Sequence, residues 1–185
     1  LFLEKGYLKV PMREIAHKSG VGLSNIYNYF SCKDDIFVQI VTPAVRTFEN
    51  MLDEHHGRRG TDIMVMCDRD YFKYMVDEYT SFIHRHRDLL LLLLFRSQGS
   101  SLENYKEEFA RKSTALVKEY FTLMKHKHPQ LETDISDFSI RMHTVWMFAL
   151  FEELLMRRVK PDEIEKVVTE YMTIEVAGWR ELMKI

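Results

Sequence analysis

The chain has 185 residues, 46% hydrophobic and 29% charged, with a net charge of −2. That supplies a sizeable core, in one large domain or two small ones, and excludes a globally basic nucleic-acid binder. The longest apolar run, Leu89–Phe95, has seven residues, far short of the roughly 20 that span a bilayer, and the two cysteines, Cys32 and Cys67, have neither metal nor disulfide-framework spacing.

The charge is unevenly spread. Residues 1–33 carry five basic side chains (Lys5, Lys9, Arg13, Lys18, Lys33) against Glu4 and Glu14, a local charge of +3 on an otherwise acidic chain. The opening "LFLEKGY" reads as the tail of a helix, so residues preceding Leu1 are expected in the full protein. Period-two alternation is nearly absent and period-3.6 patterning pervades the chain, which predicts an all-α fold. A short helix is predicted over 11–18, with Pro11 in its first turn. A second follows over 23–30 after a turn at Gly20. Ser31 is expected to cap a longer helix from Lys33, with Pro43 kinking it.

Further along, helices are predicted over 68–85 and 89–96, the latter capped by Asp88. Three more are predicted over 102–125, 134–157 and 161–184. Phe138, Val145 and Trp146 belong to a wide apolar arc of the second of these, and Ile174 and Gly178 stand in line on the apolar face of the third. The organisation is thus a small N-terminal unit of three short helices and a larger bundle. The domains are read as 1–48 and 49–185.

The stretch "GVGLSNIYNYF" is the informative one. On the preceding helix Ile15 and Ala16 face inward, with Ala16 small enough for a close crossing. Gly20 supplies the turn, and Val21, Ile26 and Phe30 face inward on the second helix. This spacing is a helix-turn-helix signature, whose second helix offers base edges its N-terminal residues. Gly22 at the N-cap leaves first-turn N–H groups open to a phosphate. Leu23 suits a thymine methyl, Ser24 and Asn25 base edges, and Asn28 a bidentate contact to adenine. Tyr27 and Tyr29 are expected to place rings on the core and hydroxyls on phosphates, and Lys33 to add a cation.

The run from Leu1 to Val41 closely resembles the DNA-binding region of the tetracycline-repressor-like (TetR/AcrR) family. Its landmarks here are Leu1-Phe2, Gly6-Tyr7, Ile15-Ala16, Gly20-Val21, Ile26-Tyr27, Tyr29-Phe30 and Lys33. The remainder is similar only in layout, including "AGWRELM" in the last helix. The resemblance implies a homodimer, a palindromic double-stranded DNA operator, usually repression, and a small-molecule effector that releases the DNA. The family often has a hydroxyl residue where this chain has Val10 and Pro11, Ser at Gly22 and a polar residue at Leu23, so the operator sequence does not carry over.

In the body, the aromatic and Met content suits an apolar effector pocket, with Tyr79, Phe95, Tyr120, His143, Trp146 and Met147 as candidate lining. The last two helices have wide apolar faces, and Phe148, Phe151, Leu155, Val168, Tyr171 and Gly178 are the candidate dimer contacts. His84 and His86 lie on opposite helix faces and cannot share a metal. No catalytic constellation stands out, so no enzyme activity, metal or cofactor is expected. The expected protein is a cytoplasmic regulator; the alternative is a ligand-binding or adapter protein of the same fold that has lost operator binding.

Overall fold

A computed structural model describes all 185 residues as nine helices without strands. They are α1 (Phe2–Lys5), α2 (Met12–Ser19), α3 (Leu23–Tyr27), α4 (Lys33–His56), α5 (Ile63–Met66), α6 (Arg69–Phe95), α7 (Tyr105–Lys127), α8 (Asp137–Met156) and α9 (Pro161–Met183). No helix is long and apolar enough to cross a membrane. The chain forms two compact units. One comprises Leu1–Arg46 with His86–Tyr105, the other Thr47–Arg85 with Lys106–Ile185.

The first unit closes on an aromatic trio. Phe2 and Tyr7 each meet Phe37 edge-on, at 5.3 and 5.2 Å between ring centres. Val10, Ala16, Ile26, Val41 and Ala44 are buried with them, as are Leu90, Leu92 and Leu93. The segment after α6 is tied in by backbone. Tyr7 N–H donates to the Arg96 carbonyl at 2.8 Å, and Ser101 N–H donates to Asp34 Oδ1 at 2.9 Å. Gly99 has φ +84, and a Cβ there would lie 2.2 Å from Leu8 Cδ1, so this turn admits only glycine without rearrangement.

The second unit has two cores. Phe48 lies 4.5 Å from Phe109 and 5.3 Å from Phe82 in stacked geometry, and meets Phe148 and Phe151 edge-on at 5.7 and 5.6 Å. All five rings are buried, and deleting such a side chain typically costs about 3–5 kcal/mol. The other core gathers Ile63, Val117, Tyr120, Phe121, Met124, Leu131, Ile140 and Met183.

The break expected between helices over 68–85 and 89–96 is present as a kink at His86 (φ −113°, ψ 17°), which divides α6 into two helical segments. Other sequence expectations are corrected. Ser31 donates its N–H to Asp35 Oδ2 at 2.8 Å instead of accepting from α4. The second helix ends at Tyr27, because Asn28 N–H already turns back to Asn25. The one-turn α5 is new to the sequence reading, and Asp62 caps it by accepting from Met64 N–H at 2.9 Å. On the wide apolar arcs of α8 and α9, Phe138, Trp146 and Ile174 are 72%, 54% and 70% exposed, and Val145 and Gly178 are exposed too.

Candidate nucleic-acid interface and effector cavity

Helices α2 and α3 meet through a turn whose backbone dictates its sequence. Gly20 sits in the left-handed region (φ 69°, ψ 19°). Val21 N–H donates to the Ala16 carbonyl at 3.1 Å and Gly20 N–H to the His17 carbonyl at 3.3 Å, the Schellman pairing that closes a helix end. Ala16 and Ile26 are buried, Phe30 is half-buried and Val21 is 37% exposed. One side of α3 is therefore fixed to the unit by Ile26.

Its other side is open. Ser24, Asn25 and Asn28 are exposed, Leu23 is half-buried, and Tyr27 and Tyr29 are 50% and 78% exposed. Tyr29 thus keeps its ring in solvent, not on the core as expected. Asn28 Nδ2 donates to Asn25 Oδ1 at 3.4 Å, a long contact that leaves Asn28 Oδ1 and Asn25 Nδ2 for a partner. Gly22 is extended (φ −62°, ψ 140°), with open space where a side chain would stand. The exposed cations nearby include Lys9, Arg13 and Lys18, which the sequence reading counted as charge without assigning them a role.

Lys33 is engaged differently from the expectation. Its ammonium donates to the Tyr7 carbonyl at 2.8 Å and stands 4.1 Å above the Tyr7 ring. Burial lowers its pKa and, with the Asp34 carboxylate second, raises that of the Tyr7 phenol. Lys33 braces the turn after α1 before it faces any phosphate.

In the second unit α4, α5, α6, α7, α8 and α9 line a partly open cavity of about 110 Å³. Tyr79, Tyr120, His143 and Met147, four of the expected lining residues, converge on it. Phe95 does not, because it belongs to the first unit. Trp146 does not either; it lines a separate open groove with Phe138, Met142, Ile174, Gly178 and Leu182. Sequence reasoning missed His55, His56, Tyr171, Glu175 and Trp179 in the cavity wall. Glu175 is an acidic residue buried at 7% exposure, and an acidic position among the apolar ones of α9 is the signal that could have marked it.

Several polar groups of the wall are paired with protein partners. His55 contacts the Tyr71 hydroxyl through Nδ1 and Glu78 through Nε2 at 2.6 Å. Tyr120 donates its hydroxyl to the Thr61 carbonyl at 2.7 Å, and His143 pairs with Glu175. His56 Nδ1 and the Tyr171 hydroxyl are buried without a hydrogen bond of normal geometry. Burial, then the neighbouring His55 and His143, pushes His56 down to about 3, so its ring is neutral at pH 7. Burial and the Glu175 carboxylate raise the Tyr171 phenol, and burial does most to raise those of Tyr79 and Tyr120.

The expected dimer contacts need correction. Phe148, Phe151, Leu155 and Val168 are buried in the subunit's own core, at 4%, 1%, 3% and 0% exposure, and no second subunit can reach them. Tyr171 faces the cavity, and of the six only Gly178 borders the outer groove. No three His, Cys, Asp or Glu side chains gather as metal ligands.

Residues 1–40 match the family model described as bacterial regulatory proteins, tetR family. An uncharacterized HTH-type transcriptional regulator of Haemophilus influenzae is 24% identical over 128 residues, covering 69% of this chain and 59% of that protein. The match thus spans less than two thirds of that relative's length. Among solved structures, a TetR-like regulator from a Rhodococcus species superposes with a TM-score of 0.60 at 14% identity, covering 96% of this chain and 90% of its own. A TetR-family regulator from Streptomyces coelicolor gives 0.60 at 20% identity, covering 92% and 84%. The regulator FadR from Bacillus subtilis, in complex with stearoyl-CoA, gives 0.58 at 17% identity, covering 92% and 91%. At these identities the structural likeness establishes the fold.

Proposed function

We propose that this chain is a DNA-binding transcriptional regulator like the tetR-family proteins it resembles, not an enzyme, and that it works as a homodimeric repressor that a small molecule releases from a palindromic operator. The observation that carries the DNA side is the open face of α3. Ser24, Asn25 and Asn28 stand in solvent on a helix whose opposite side is pinned by Ile26. In a helix-turn-helix that face enters the major groove, and its amides and hydroxyl suit base edges. Gly22, Leu23, Tyr27 and Tyr29 complete the contact surface, with Lys33 holding its frame. We assign DNA binding to residues 1–48, and effector binding and dimerisation to residues 49–185 apart from 86–105, which belong to the first unit.

The effector is assigned to the cavity lined by Tyr79, Tyr120, His143 and Met147, which is mostly apolar with a few polar groups, as ligand sites generally are. The Bacillus protein of the same fold was solved with stearoyl-CoA, which supports an effector role for such a body. Met75 and Tyr79, before the kink at His86, line the cavity, and Leu90, Leu92 and Leu93, after it, are buried in the first unit. The dimer is assigned to the outer faces of α8 and α9, where Phe138, Trp146, Ile174 and Leu182 are all more than half exposed. Two recognition helices must meet half-sites about 34–36 Å apart, or a multiple of that. An effector that favours another separation lowers DNA affinity by its differential binding to the two states.

The test is a gel shift with the DNA upstream of the chain's own gene. A retarded band that specific competitor removes supports the operator reading. A protein that retards no fragment of its own genome, yet binds a small molecule, contradicts it.

A further inference from the structure

Resting on the effector reading above, we propose that the cavity takes a small uncharged aromatic alcohol of the phenol class, whose hydroxyl pairs with His56 Nδ1. Size sets the first limit. The volume is about 110 Å³, and an engineered apolar cavity of ~150 Å³ admits benzene. The space matches a single substituted ring. A long acyl chain on a nucleotide carrier, such as the Bacillus neighbour holds, does not fit it.

Chemistry sets the second limit. The body of the wall is apolar, with Ile63, Val117, Phe121, Met147 and Met172 around the space. His55, Tyr120, His143 and Glu175 each already hold a protein hydrogen-bond partner. His56 lines the same space, and its Nδ1 is shielded from solvent without a hydrogen-bond partner. The ring is held in place edge-on against Tyr120, 5.2 Å between centres. A buried imidazole nitrogen without a partner is costly, and a ligand hydroxyl answers it by donating a hydrogen bond. The Tyr171 hydroxyl lies beside the Glu175 carboxylate in the same wall.

Charge sets the third. His56 is neutral at pH 7, so it offers an anion no countercharge. A buried anion would instead meet the Glu175 carboxylate. The one fixed cation in the lining, Arg180, is exposed. A buried cation would have to compete with His143 for Glu175.

The experiment is calorimetric titration of the full chain at pH 7 with phenol, toluene, benzoate, benzylamine and stearoyl-CoA. Wild type is expected to bind phenol about 10-fold or more tighter than toluene, the effect of satisfying one buried polar atom. His56→Leu is expected to reduce phenol to the level of toluene while leaving toluene unchanged. Should that variant misfold, the imidazole NMR resonances of His56 in wild type, titrated with phenol, give the same answer by shifting or standing still. Phenol binding no tighter than toluene, tighter binding of benzoate, benzylamine or stearoyl-CoA, or unmoved His56 resonances each overturn the proposal. An operator titration on the same sample separates the two readings. DNA binding without phenol binding sinks the ligand class alone; phenol binding without any DNA binding sinks the regulator reading alone.

Discussion

Replacing Lys33 by Met separates two roles that the sequence leaves superimposed. The thioether keeps the stem and removes the ammonium. In the structure that ammonium donates to the Tyr7 carbonyl at 2.8 Å and lies 4.1 Å over the Tyr7 ring. A hydrogen bond to a charged group is worth about 1.5–3 kcal/mol and a partly exposed cation–π contact about 0.5–1 kcal/mol. Part of that gain offsets the desolvation that lowers the ammonium's pKa. A net loss of about 2 kcal/mol of stability is expected. Urea denaturation reads it as a lower midpoint at unchanged slope. Operator affinity, titrated between 50 and 200 mM salt, reads the other role. A phosphate contact contributes about one unit to the slope of log K against log salt. The brace predicts a slope unchanged within about 0.3. A variant of wild-type stability whose slope falls by about one would refute the brace and restore Lys33 as a phosphate ligand.

Other expectations follow from individual contacts. Asp62 caps α5 and accepts from His128 at 2.9 Å and from Lys127. Burial alone would raise its pKa, but the hydrogen bonds from Lys127, His128 and Met64 N–H outweigh this and hold it down at about 2. A depressed carboxylate stabilises the fold above its unfolded pKa near 4 and loses that contribution as the pH falls toward 2, on the order of 2 kcal/mol. Asp62→Asn should therefore be less stable than wild type at pH 7, with the gap closing below about pH 3 in acid-titrated denaturation; a gap constant with pH would contradict this. Arg158 closes α8 with φ 52°, a region that suits glycine. Arg158→Gly should raise the thermal midpoint by about 1–3 °C, from roughly 0.5–1 kcal/mol of relieved strain; scanning calorimetry that finds a lower midpoint would contradict it. Trp146→Glu and Ile174→Glu place charge on the outer α8–α9 groove. Sedimentation should show them as folded monomers at a micromolar concentration where wild type is dimeric, whereas dimeric variants would move the interface elsewhere.

The helix-turn-helix was legible because its logic is local. Ala16, Gly20 and Ile26 lie within eleven residues, and their spacing alone fixes a close crossing, a left-handed turn and an anchored side. The exposed face then follows by subtraction. The body was less legible because hydropathy does not tell a subunit's core from a surface meant for a second copy. Phe148 and Phe151 went inside while Phe138, Trp146 and Ile174, no less apolar, stayed outside. The cavity was half legible. Large aromatics on helical stripes suggested Tyr79 and Tyr120, but the pairing of His143 with Glu175 joins residues 32 positions apart, which no local pattern encodes. Phe95 was misassigned for the same long-range reason. Helix α5 escaped because one turn has no periodicity, and only its Asp62 cap announces it.

The central claim is that the solvent face of α3 reads the operator. Fluorescence anisotropy with the DNA upstream of the chain's own gene, comparing wild type with Asn25→Ala and Asn28→Ala, tests it directly. Each amide lost from a base edge should cost about 1–3 kcal/mol, a 5- to 150-fold weaker specific complex, with binding to unrelated DNA unchanged. Specific affinity that stays at the wild-type value in both variants would place the reading surface somewhere else on the protein.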